Sequence, residues 1–205
     1  LPDDRTILVE HFKDEKGNPQ MMVHSVFGRQ INAPLAILVQ ELATRYTSVT
    51  MNYVEDDDGF LLFPYGECQI PFGLLQRIEP SQSKGILEAI LPTTPLFNIT
   101  FRYNIAHALM MGVKKAGRQP LWVQRMRSAQ MLDTILPFKE HPIIRETKRE
   151  CLEDLWNLDG VEMVLNKIQS GDIRVYEIET EYPSPLSLTL RRQTEAAMMY
   201  DYAPT

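Results

Sequence analysis

The stretch Arg5-Thr6-Ile7-Leu8-Val9-Glu10-His11-Phe12, the polar run Lys13-Asp14-Glu15-Lys16-Gly17-Asn18 and the stretch Gln20 to Val26 decide how the chain reads. The flanking segments are rich in strand-forming residues, with apolar and polar positions alternating imperfectly, and the run between them has turn chemistry. Together they predict an antiparallel hairpin. A second hairpin follows in Thr47 to Val54 and Phe60 to Phe63, joined by Glu55-Asp56-Asp57-Asp58-Gly59, whose last residue suits a positive φ. Between the hairpins, Asn32 reads as an N-cap ahead of Ala33-Pro34. The helical spacing of Leu35, Leu38, Val39 and Leu42 then predicts a helix over about 33–46.

After Pro64 the period lengthens, and prolines punctuate the chain. Helices are expected near 71–78, 83–91, 95–111, 120–136, 142–156 and 159–169. Ser170-Gly171 closes the last of these, and Ile173 to Ile178 alternates with charged residues as a final strand within 172–179. Tyr182-Pro183-Ser184-Pro185 breaks that strand ahead of a terminal helix over 185–202. The expected class is α+β: a small antiparallel sheet of two hairpins and a late strand, packed against a mainly helical middle and C-terminal part, in one domain over 1–205 (strand-rich 1–64, helical 71–169).

The chain has 205 residues, 44% hydrophobic, with 21 Lys+Arg against 27 Asp+Glu and a net charge of -6. That is enough apolar material for a packed core and rules out disorder for most of the chain. The charge excludes a polybasic protein that coats nucleic acid by bulk charge. No apolar run is long enough to cross a bilayer, so a membrane is not expected as a partner and the cytoplasm is the expected compartment. The first residues, Leu1-Pro2-Asp3-Asp4, have no signal-peptide character and suit an excised piece of a longer protein.

Searches for chemistry return little. Cys68 and Cys151 lack metal-ligand spacing and read as reduced core residues, although one long-loop disulfide stays open. None of His11, His24, His107 and His141 has a partner at helical metal spacing. A contact between His11 and His24 across the first hairpin is the plain reading of that pair. Asp56-Asp57-Asp58-Gly59 lacks the ligand alternation of a calcium loop. There is no nucleophile elbow, no phosphate-binding loop and no Gly-rich dinucleotide fingerprint. No catalytic residue, no metal site and no cofactor is therefore assigned to this chain.

Charge distribution is the informative feature. Residues 89–132 contain no Asp or Glu, where an even spread would place about six. The window holds Arg102, Lys114, Lys115, Arg118, Arg125 and Arg127, a balance of +6, while the remaining residues carry 15 basic against 27 acidic side chains, a balance of -12. A basic face on an acidic body can hold phosphates with steep salt dependence. On a helix starting near Pro120, Trp122, Met126, Ala129, Leu132 and Leu136 share a stripe of about 120°, with Arg125 at its edge and Arg127 pointing away. Trp122 is then either a stacking platform for a base or a core aromatic, and its place in an apolar stripe favours the core. The candidate nucleic-acid-binding set is Arg102, Lys114, Lys115, Arg118, Trp122, Arg125 and Arg127.

An ordered set of short motifs adds a resemblance. Phe27-Gly28-Arg29-Gln30 running into Asn32-Ala33-Pro34-Leu35-Ala36, then Phe101-Arg102, Gln119-Pro120-Leu121-Trp122-Val123-Gln124-Arg125, Arg149-Glu150-Cys151-Leu152, Ser170-Gly171-Asp172-Ile173 and Pro183-Ser184-Pro185 resemble one region of large helicase-related (Lhr) proteins. It follows their motor and winged-helix domains and is called the DEAD/H-associated domain. Lys148 stands where that family usually has an aromatic residue. The resemblance implies a non-catalytic module of a superfamily 2 ATP-dependent helicase that moves along single-stranded DNA and unwinds duplexes or RNA–DNA hybrids. ATP and Mg would be bound by other domains of the parent. The implied partners are the motor and winged-helix domains of the same chain and the tracking strand. A docking domain that binds the motor lobes or a protein partner without touching nucleic acid is the alternative.

Overall fold

The computed structural model describes residues 2–112, 130–138 and 140–201. They fall into two compact units, one made of 1–84 with 156–205 and the other of 85–155.

The first unit is built on a five-stranded sheet of β1 (Thr6–Lys13), β2 (Pro19–His24), β3 (Met51–Asp56), β4 (Gly59–Pro64) and β5 (Arg174–Glu179), in the order β3-β4-β2-β1-β5. Both expected hairpins form. In the first, Val9 lies opposite Val23 and His11 opposite Met21, and the turn is held by Asp14 Oδ1, which accepts the N–H groups of Lys16 and Asn18. In the second, Gly59 has φ 147° and comes so close to β2 that an added Cβ would sit 1.9 Å from the Val23 carbonyl oxygen. Only glycine fits there.

The late strand departs from the expectation of an antiparallel sheet: β5 runs parallel to β1, with Val9 opposite Glu177, so the α+β sheet is mixed. Parallel neighbours need a long connection, and everything between β1 and β5 in the chain supplies it. The imperfect alternation of the strands also has a physical cause. Ile7, Val9, Met21, Val23, Phe60 and Leu62 are buried on one face, while on the other Phe12, Met22 and Leu61 pack with Leu190. Strands β1, β2 and β4, buried on both faces, have no polar face to mark their period.

Helix α1 (Arg29–Thr47) starts three residues ahead of the expected cap. Gly28, at φ 79°, is the N-cap, and its carbonyl accepts from the N–H groups of Ile31 and Asn32. Asn32 is therefore inside the first turn and fully buried. Its amide Nδ2 donates to the carbonyls of Ser25, Asp56 and Asp57 at 3.0–3.1 Å, and its Oδ1 accepts from the Ser25 hydroxyl at 2.8 Å. The side chain that seemed free to cap a helix instead fastens α1 to the β3–β4 turn and the end of β2.

The helix expected over 71–78 is reduced to a 3-10 turn, Leu75–Arg77, because Gly73 at φ 76° breaks the run before it and Pro80 stops it after. Helix α5 (Leu158–Ser170) is capped by Asn157, whose Oδ1 accepts the Gly160 N–H, and ends on Gly171 at φ 82°. That left-handed residue turns the chain into β5. Helix α6 (Leu188–Asp201) follows a 3-10 turn at Pro185–Ser187.

Helix α2 (Pro80–Ile90) runs from the first unit into the second. The second unit continues with a 3-10 turn at Leu91–Thr93, α3 (Pro95–Gly112), a helical stretch over 130–135 and α4 (Pro142–Arg149). A π-helical turn, Glu150–Leu155, extends α4 over nearly all of the expected 142–156. Phe97 and Phe101 are buried and stacked at 6.3 Å, with Ile105, Ile144 and Cys151 also buried. Asn104 Nδ2 bridges α3 to α4, donating to Thr147 Oγ1 and Glu150 Oε2. Among the described residues no helix is long and apolar enough to cross a membrane.

Candidate nucleic-acid interface

The apolar residues of α3 fix which of its sides meets water. Phe97, Phe101 and Ile105 turn inward, so Ile99, Arg102, Tyr103, Ala106 and His107, at i, i+3, i+4, i+7 and i+8, form the opposite stripe. Tyr103 is 66% exposed and Ile99 44%, His107 is exposed, and Arg102 is half-buried. This stripe belongs to the acid-free window, and no described carboxylate pairs with Arg102. A guanidinium that is free to meet a phosphate, beside a phenol ring that can stack on a base, is a workable grip on a single strand.

Of the seven residues named from sequence, Arg102 is the one the structure describes. Lys114, Lys115, Arg118, Trp122, Arg125 and Arg127 lie outside the described residues. Tyr103 and His107 were missed, although their signal was present: both follow Arg102 within two helical turns, in a segment without acids.

Three described cations elsewhere are paired with acids. Arg149 is held by Glu146 at 2.8 Å and by Glu153 and Asp154 at 3.4–3.5 Å; the pairing with Glu146 raises its pKa and lowers that of Glu146. Lys84 meets Asp159 and Glu162 at 2.7 and 3.0 Å, and Arg29 pairs with Glu55 while donating to its carbonyl. All three lie outside the 89–132 window. Among the described residues, no acid is paired with Arg102.

The polar residues that suggested chemistry are structural. His11 and His24 are on opposite faces of the sheet, which corrects the expected contact between them: their register positions differ by an odd step. Each meets a carboxylate instead, His11 with Glu177 and His24 with Glu10. His141 caps α4 by accepting the Ile143 N–H. Cys68 and Cys151 are free thiols, both with pKa raised by burial, the opposite of an activated nucleophile. Among the described residues no group of three or more His, Cys, Asp or Glu is placed to hold a metal ion.

The family model described as DEAD/H associated matches residues 1–187. The chain is 30% identical over 202 residues to an Lhr helicase/uracil glycosylase of Escherichia coli K12, covering 98% of this chain and 13% of that protein. It is 33% identical to an Lhr helicase/probable uracil glycosylase of Mycolicibacterium smegmatis, covering 98% and 14%. An ATP-dependent helicase Lhr-Core of Methanothermobacter thermautotrophicus is 29% identical, covering 94% and 22%. Among solved structures, the Mycobacterium smegmatis helicase Lhr bound to ssDNA and AMP-PNP superposes with a TM-score of 0.82 at 32% identity, over 93% of this chain and 24% of that one. The chain thus spans a small fraction of the length of its relatives. With the match running from the first strand to the turn before α6, this chain belongs to the DEAD/H-associated family found in Lhr-type helicases.

Proposed function

We propose that the chain is a non-catalytic accessory domain of an ATP-dependent helicase, which braces the motor lobes and helps to guide single-stranded nucleic acid. ATP and Mg would be bound by other domains of that helicase. The observation that carries the strand-guiding half is the α3 stripe: Arg102 without a carboxylate partner among the described residues, Tyr103 exposed, and no acid in the surrounding window. The likeness to a helicase solved with ssDNA bound supports it.

The test is single-stranded DNA binding at about 50 and 200 mM salt, with and without Lys114, Lys115 and Arg118 changed to Glu. The expected result is weaker binding and a shallower salt dependence in the triple variant. Undiminished binding removes the 89–132 segment from the strand path. No binding by the parent chain at low salt, together with stabilisation by added motor lobes, favours the docking alternative.

A further inference from the structure

The β-sheet ends on a strand that is paired along one side. Arg174 N–H donates to the Arg5 carbonyl and Thr180 N–H to the His11 carbonyl, so the alternate residues Arg174, Tyr176, Ile178 and Thr180 turn their main-chain groups toward β1. By the alternation of a parallel ladder, the N–H and C=O groups of Val175, Glu177 and Glu179 point away from the sheet. Among the described residues, none of those three N–H groups has a backbone partner.

The side chains above this edge are apolar and uncovered. Tyr176 and Ile178 share the face of Leu8 and Glu10 and are 51% and 42% exposed. The segment after β5 crosses the same face, as the Ser184 N–H donated to Glu10 Oε2 shows, and leaves Tyr182 and Leu186 exposed as well. An open row of main-chain donors and acceptors beside an apolar strip is a liability unless something covers it.

We infer that β5 is a docking edge for an extended segment of the longer polypeptide, which adds to the sheet as a sixth strand beside Val175, Glu177 and Glu179. This rests on the reading of the chain as one module of a larger helicase. The matched relatives are long enough to supply such a segment, since the chain makes up 13–24% of them. The edge also specifies its occupant. Main-chain pairing demands a peptide, and the strip of Tyr176 and Ile178 demands alternating apolar side chains. Arg174 at one end and Glu179 at the other favour an acid and a base at the matching ends. Nucleic acid fits poorly, because it has no peptide ladder and would bring phosphates against Glu179 and Glu181.

Amide hydrogen exchange tests this in the 205-residue chain and in the complete polypeptide encoded by its reading frame. The expected result is that Val175, Glu177 and Glu179 exchange at least about tenfold more slowly in the complete polypeptide, while the β1 and β2 amides stay equally protected in both. Tyr176→Lys with Ile178→Lys, both at exposed positions, should abolish that gain and leave β1 protected. Equal exchange in the two proteins overturns the inference. Protection that grows with the concentration of the 205-residue chain assigns the edge to a second copy, and protection that needs added oligo-dT assigns it to nucleic acid; either overturns it. Single-stranded DNA binding of the same samples reports separately on the strand-guiding function, so the two can fail independently.

Discussion

Glu177 Oε1 lies 2.6 Å from His11 Nε2 across the parallel β1–β5 pair, and its other oxygen accepts the Gly73 N–H at 2.8 Å. The imidazole is stacked on Phe72 at 4.1 Å, so one carboxylate ties the segment before Leu75 to the sheet. Both side chains are about nine-tenths buried. Replacing Glu177 by Ala strands two donors at once. Given about 1–3 kcal/mol for each buried group left unsatisfied, the variant should lose about 2–4 kcal/mol in urea unfolding, and the Gly73 amide should exchange faster. A loss below about 0.5 kcal/mol would show that water replaces the carboxylate.

Asn32 makes a sharper case because its donors and acceptor are used in one direction. Asp is nearly isosteric but turns the donating Nδ2 into an oxygen facing the carbonyls of Ser25, Asp56 and Asp57. At neutral pH, Asn32→Asp should therefore destabilise by about 3 kcal/mol or more and exceed Asn32→Ala, since a buried unpaired charge costs more than a lost side chain. Chemical denaturation of the two variants orders them, and the reverse order would mean that the β3–β4 turn opens to hydrate the anion.

Two glycines with positive φ separate steric from conformational cost. At Gly59 an added methyl would collide with the Val23 carbonyl, and at Gly17, φ 83°, it would meet nothing within 4 Å. Gly17→Ala should cost about 1–2 kcal/mol from the left-handed backbone alone. Gly59→Ala should exceed about 3 kcal/mol by forcing β4 away from β2, with loss of amide protection at the β2–β4 pair. Similar losses at both positions would refute the close approach.

Glu55 gives a pH dependence with a definite sign. Burial raises its pKa above the usual 4.5, an effect larger than the opposing attraction of Arg29. A carboxyl whose folded pKa is raised binds its proton more tightly in the folded protein, so its charge costs stability above that pKa. The cost disappears as pH falls through the folded value toward 4.5. Glu55→Gln should therefore raise the urea midpoint at pH 7 and leave it unchanged at pH 3. A lowered midpoint at pH 7 would show that pairing with Arg29 outweighs burial.

Local signals carried much of this fold into the sequence. Turn residues marked both hairpins, Gly171 marked the end of α5, and Pro95 marked the start of α3. What stayed hidden depends on residues distant in the chain. Nothing near Ile173 says that β5 runs parallel to β1, because strand direction is set by the crossover. Asn32 looked like a cap because its true partners, at 25, 56 and 57, are brought to it by tertiary packing. The basic window was legible as charge, but the orientation of its first cation was not. Phe97, Phe101 and Ile105 had to be seen buried before Arg102 and Tyr103 could be placed on the open side of α3.

That orientation separates two arginines of equal formal charge. Arg102 has no described acidic partner, while Arg149 sits among Glu146, Glu153 and Asp154. Each phosphate neutralised by a free cation contributes a little under one unit to the slope of log affinity against log salt for a single strand. Arg102→Ala should weaken binding to single-stranded DNA and lower that slope by about 0.7. Tyr103→Ala should weaken binding by about 1–3 kcal/mol with the slope unchanged, because stacking releases no counterion. Arg149→Ala should leave both untouched, or tighten binding if anything, since it changes a carboxylate cluster and not a phosphate site. Fluorescence titrations at several salt concentrations distinguish the three variants, and an Arg149 effect as large as that of Arg102 would move the strand from α3 to α4.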